Sequence, residues 1–175
     1  MADERPMTGY DRRMYALMNR REGAPLHATA ARRRLAVGVH IALTGASVAA
    51  WLFAVVGDER WAVFALLALI LPWCFTTGVI NGSVRGMLDL RARALDERQR
   101  AEKARVVALA HRVMLWVLLA AAVGAGAVWA TGHDAEGLIF PVLFAVFVTH
   151  WLMPVWVAGL TAADEPADDE IDEAR

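Results

Sequence analysis

One cysteine, Cys74, and one lysine, Lys103, stand in 175 residues, and each scarcity closes off a class of chemistry. A single thiol forms no internal disulfide and builds no zinc cluster from cysteine pairs. It also leaves out the paired cysteines on which thiol-oxidising four-helix quinone reductases depend. The other basic residues are all arginine, which together with the alanine and valine load points to a GC-rich bacterial genome. The longest apolar runs contain no Asp, Glu or Lys, so the in-span carboxylate of a small four-helix proton-coupled exporter is missing. A glycine-rich phosphate loop, a pair of in-span catalytic carboxylates and a His-Glu-x-x-His zinc motif are missing as well. The first apolar run lies behind a long polar lead and is too long for a signal-peptide core, so no secretory signal is expected. These absences predict a protein that is not an enzyme and that needs no cofactor.

What is present is apolar and sorted. The chain is 58% hydrophobic and 21% charged, with a mean hydropathy of +0.39, and the two classes occupy separate blocks. That segregation is how a bilayer protein reads. Four stretches, 35–56, 61–80, 106–130 and 137–160, reach the length of about 20 apolar residues that crosses a bilayer, and they lack the polar face of a soluble helix. The expected fold is therefore all-α, a four-helix transmembrane bundle spanning residues 35–162.

The net charge of −1 conceals a strong asymmetry. Residues 1–34 hold eight arginines, and the segment between the second and third spans holds seven basic residues. The first of the other two loops has Arg60 alone and the second has none. Positive charge favours the inner side, so both termini and the central loop are expected in the cytoplasm, and the protein in the bacterial inner (plasma) membrane. Tryptophans 51, 61, 129, 151 and 156 fall mostly toward span ends, where indoles favour the interface, whereas Trp73 and Trp116 sit deeper as packing residues. Met7, Tyr10, Met14, Leu17 and Met18 recur at helical spacing among arginines, which predicts a short amphipathic helix on the anionic inner leaflet. The basic segments thus point to anionic lipid and not to nucleic acid. Between the spans, residues 82–105 read as a helical hairpin, with Asp96 and Gln99 spaced as a capping box before the third span. Residues 163–175, with seven acids, read as a disordered tail.

Ionisable residues inside a span are functional candidates by default, and here the deep ones are histidines. Arg34 to His40 aligns with Arg105 to His111, a basic residue six before each histidine, and Trp73 then pairs with Trp151. A tandem repeat of two hairpins would bring His40 and His111 to equal depth. Facing each other, they would suit haem b or a metal, while the plainer reading gives each a hydrogen bond near the inner interface. His150 lies mid-span, four residues before Pro154, and either lines a ligand or proton path or bonds to another helix. Gly78, Gly82 and Gly86 form a small-xxx-small ladder, and Gly124 lies in a smooth stretch of the third span. Both mark close packing, within the chain or in a homodimer. Asp96, Glu97 and Arg98 are a docking surface or simply a solvated helix cap.

Leu95-Asp-Glu-Arg-Gln99, leading through Arg105 and His111-Arg112 into a span, resembles a segment of small multi-span membrane proteins of unknown function from actinobacteria and other bacteria. The resemblance covers about twenty residues. It implies a small multi-span fold and carries no activity with it. The leading functional expectation is a non-enzymatic accessory or interaction subunit, binding another membrane protein or itself. The alternatives are a haem or metal redox protein using His40 and His111, and a small transporter or ligand-binding immunity protein using His150.

Overall fold

The computed structural model describes residues 7–18, 24–132 and 136–162, and these form helices joined by turns, with no strand among them. Two short helices, α1 (Gly9–Met18) and α2 (Ala24–His27), precede α3 (Ala30–Val55), α4 (Arg60–Ser83), α5 (Glu97–Ala130) and α6 (Glu136–Thr161). The last four are long and apolar enough to cross a membrane, the make-up of a helical membrane protein. Each extends beyond the apolar run that marks it. Thr29 starts α3 five residues early by accepting the Arg32 amide, because apolarity records the bilayer while caps record the helix. The 34 residues of α5 make a rod of roughly 50 Å at 1.5 Å per residue, longer than the ~30 Å hydrocarbon layer, so it projects from one face.

Arg33 fixes the up-down order. Its guanidinium, 5% exposed, donates from Nη2 to the Ala162 carbonyl at 2.7 Å and from Nη1 to the His27 carbonyl at 3.4 Å. A cation thus meets the last carbonyls of α6, where the helix dipole is negative, and joins the end of α6 to the start of α3. Counted from sequence as one more inner-side charge, Arg33 is a clamp.

The connector between α4 and α5 differs from the helical hairpin expected over residues 82–105, in which Ala92, Ala94 and Leu95 continue the second helix and a new one starts at Asp96. The α-helix stops at Ser83, Arg85 and Gly86 take left-handed φ values of 50° and 65°, and the Gly86 amide reaches back to the Asn81 carbonyl at 2.9 Å. That bond satisfies one of the orphan carbonyls of a helix end and terminates α4. Turns follow, then one 3-10 turn at Ala92–Ala94. The capping box then starts α5: Asp96 accepts the Gln99 amide at 2.7 Å, and the Gln99 side chain takes the Asp96 amide at 3.1 Å. Lys103, the chain's one lysine, holds the connector by donating to the Leu88 and Leu90 carbonyls at 2.7 and 3.0 Å.

Helix α1 forms where its spacing predicts, yet its apolar face meets protein. Met7 and Met14 pack on Leu90, Ala94 and Leu95 of the connector, and Met18 lies against Gly86. Asp11, 2% exposed, binds Thr8 and approaches Arg91 at 3.8 Å, while Arg91 lies 5.3 Å above the Tyr10 ring. Tyr10, Tyr15 and Leu17 remain exposed.

In the bundle, α3 and α4 pair closely, α6 packs on both, and α5 packs on α6. The shared core draws on all four, with Val37, Ile80, Val106, Ala110, Met114, Leu152, Trp156 and Val157 buried together. A close approach of α6 to α3 and α4 falls at Gly159, where an added Cβ would lie 2.7 Å from Val37 Cγ2 and 3.0 Å from Ile80 Cγ2. The expected glycine ladder does not share one seam. Gly78 and Gly124 have nothing within 4 Å of the Cβ position, Gly82 faces His27 and Gly86 lies beyond the helix end.

Gly159→Ala should therefore destabilise the purified protein by about 1–3 kcal/mol through overpacking. Gly78→Ala and Gly124→Ala should leave the melting temperature of the monomer unchanged or slightly raised. Thermal unfolding in detergent, followed by circular dichroism, separates the outcomes. Lys103→Met should release the connector, and trypsin should cleave after Arg91 about tenfold faster, while the helical spectrum stays unchanged.

Candidate functional site

Helical spacing on α3 and α4 assembles a polar cluster within the spans. His40 and Thr44 stand one turn apart on α3, and Trp73 and Thr77 one turn apart on α4, so each pair shares a face. From α6, Trp156 completes the group. His40 is fully buried, with its Nε2 2.8 Å from Thr77 Oγ1 and its Nδ1 accepting the Trp156 indole N–H at 2.9 Å. Proton positions follow from donor bookkeeping. The Thr77 hydroxyl spends its one hydrogen on the Trp73 carbonyl at 2.8 Å, so toward His40 it accepts, and Nε2 carries the proton. His40 is thus a neutral imidazole in the Nε2–H tautomer.

A second chain of bonds closes the cluster. Trp73 Nε1 donates to Thr44 Oγ1 at 3.0 Å, and Thr44 donates to the His40 carbonyl at 2.8 Å. The His40 ring lies 4.9 Å from the Trp73 ring, tilted by 40°, and 6.2 Å from that of Trp156 in an edge contact. Two helices are joined by these bonds and a third is added through Trp156. Satisfied networks of this kind rigidify and specify a packing arrangement. Trp156, expected near the interface, is instead a buried donor.

Beside the network lies a groove of about 230 Å³ between α3, α4 and α6. Thr44, Ser47, Val48 and Trp51 line it from α3, Leu66, Ile70 and Trp73 from α4, and Phe144 and Val148 from α6. Thr44 and Trp73 belong to network and groove alike.

The other expected site residues lie apart from this cluster. His111 is exposed on α5, near Leu95, Arg100 and Lys103, with no hydrogen bond or ring contact to His40 among the described residues. His40 and His111 therefore do not face each other as a ligand pair. The one lone pair of His40 is already held by Trp156, so a metal there would have to displace the indole. His150 is exposed on α6 and has no hydrogen bond among the described residues. The repeat anchors sit in unlike surroundings: His40 is buried and His111 exposed, Trp73 half-buried and Trp151 exposed. Asp96 is committed to the capping box, while Glu97 and Arg98 are exposed beside it.

Four long apolar helices around a satisfied polar cluster define the class, a helical membrane protein with an internal hydrogen-bond network. No family model, curated protein or solved structure matches the chain.

Trp156→Phe keeps the ring and removes the donor, leaving His40 Nδ1 buried and unpaired. The cost should be about 1–2 kcal/mol, seen as a lower melting temperature. An unchanged melting temperature would mean that the indole bond contributes nothing to the bundle.

Proposed function

We propose that the protein is a non-enzymatic interaction subunit of a membrane assembly. It presents α5 and α6 to a transmembrane helix of another chain, whether a different protein or a second copy. The observation that carries this reading is His150. It stands about 2 Å past the midpoint of α6 at 1.5 Å per residue, exposed and with no hydrogen bond among the described residues. An imidazole facing hydrocarbon is costly, and polar groups at this depth are ordinarily bonded across helices. A partner helix supplies that bond.

Helix α5 supports the same reading. Its buried positions, Val106, Ala110 and Met114, end at its midpoint. From Leu118 to Ala130 every residue except Ala121 is exposed, including Gly124 and Gly126. Small residues gain little by facing lipid and allow close approach of a second backbone. In this reading the arginine-rich end faces the cytoplasm of a bacterial inner membrane, with both termini inside, next to an anionic leaflet. Glu97 and Arg98 are then available to a soluble domain of the partner. The redox alternative asks for a His40 lone pair that Trp156 holds.

Affinity purification of the tagged protein from its own host in mild detergent tests the proposal. Wild type should bring a stoichiometric partner or elute as a dimer, and His150→Leu should lose it while unfolding at the same temperature or higher. A wild-type protein that elutes alone as a monomer contradicts the reading. So does a His150→Leu variant that keeps the partner in full.

A further inference from the structure

We propose that the groove between α3, α4 and α6 is a binding site for a small apolar ring that carries a hydrogen-bond-accepting oxygen, entering sideways from the bilayer. The argument begins with a hydroxyl that behaves unlike its neighbours. In-helix Thr and Ser ordinarily return their proton to a carbonyl one turn back. Thr44, Thr76, Thr77, Ser83, Thr149 and Thr161 all do so here. Ser47 alone, among the described Ser and Thr side chains, makes no hydrogen bond through its hydroxyl. It lies on the groove wall, half-buried in an apolar span, with a donor to offer.

The walls suit a flat ring. Trp51, Trp73 and Phe144 supply aromatic faces, and Ile70 and Val148 close the apolar remainder. Ring contacts hold Trp51 in place, 4.8 Å from Phe144 and 5.8 Å from Phe140. Trp73 is held by its bond to Thr44. The surface is therefore preorganised, which lowers the entropic cost of binding. Size agrees as well. An apolar cavity of about 150 Å³ accepts benzene, so 230 Å³ leaves room for a substituted single ring. An acyl chain would fit the outline but has no acceptor for Ser47 and no flat face for the aromatic walls. Pockets of this make-up, mostly apolar with one placed polar group, are the usual form of small-molecule sites. The Thr44 hydroxyl already donates to the His40 backbone carbonyl and adds no donor of its own.

Duroquinone is a suitable probe. Its ring carbonyls accept hydrogen bonds, it quenches tryptophan fluorescence, and its fully methylated ring does not add thiols such as Cys74. With the full chain in phosphatidylcholine nanodiscs, quenching should show a saturable component above the linear rise from partitioning. Ser47→Ala should weaken that component roughly fivefold, the worth of one neutral hydrogen bond. Ser47→Phe, which fills the groove, should abolish it. Strictly linear quenching by wild type would overturn the proposal and leave the groove to lipid chains. Unchanged affinity in Ser47→Ala would overturn it as well, and that variant decides the matter if Ser47→Phe fails to fold. The proposal is independent of the partner reading, since it uses neither α5 nor His150.

Discussion

The two-sided hydrogen bonding of His40 is the constraint on which the rest of the bundle depends. Between membrane helices the hydrophobic effect does not favour association, because lipid is as apolar as the side chains it would replace. Packing and internal hydrogen bonds have to do the joining. His40 donates to Thr77 on α4 and accepts from Trp156 on α6, so one imidazole joins three helices. The Trp73–Thr44 bond repeats the α3–α4 link on the other side of the ring. Toward the arginine-rich end, Gly159 lets α6 settle against Val37 and Ile80. A larger residue there would push Trp156 away from the imidazole it serves.

The arginine-rich end is tied by two cations. Arg33 secures the carbonyl end of α6 to the start of α3, and Lys103 anchors the connector to α5. Both cations donate to backbone carbonyls, where the alternative would be unpaired polar groups next to lipid. The half of α5 from Leu115 to Ala130 has no equivalent tie among the described residues. The molecule is thus cross-linked around His40 and largely exposed along α5 from Leu118 to Ala130.

Much of this was legible in the sequence, and the failures share a cause. Long apolar runs located the four crossing helices because bilayer thickness sets a length that composition reports. Asp96 and Gln99 announced the start of α5 because a cap is local chemistry. His40 stood out as an ionisable residue in a span, yet its partners did not. Thr44, Thr77 and Trp156 read as ordinary span letters, and only the i, i+4 pairs His40–Thr44 and Trp73–Thr77 hinted at shared faces. Gly159 carried less signal than the regular Gly78-Gly82-Gly86 series, although it makes the close contact. Periodicity within one helix is visible in a sequence, whereas the register between helices 116 residues apart is not. The connector was misread for a related reason. Ala92, Ala94 and Leu95 have helical propensity, but the left-handed Arg85–Gly86 pair and the docking of α1 override it.

The most direct test of the central claim is nitrogen NMR of histidine-labelled protein in bilayers, with the His40 signals assigned by their loss in a His40→Gln variant. The account predicts a neutral ring protonated at Nε2, with an Nδ1 that accepts a hydrogen bond and correlates with the Trp156 indole proton. An Nδ1-protonated tautomer, or a ring in exchange with water and lacking that correlation, would contradict it.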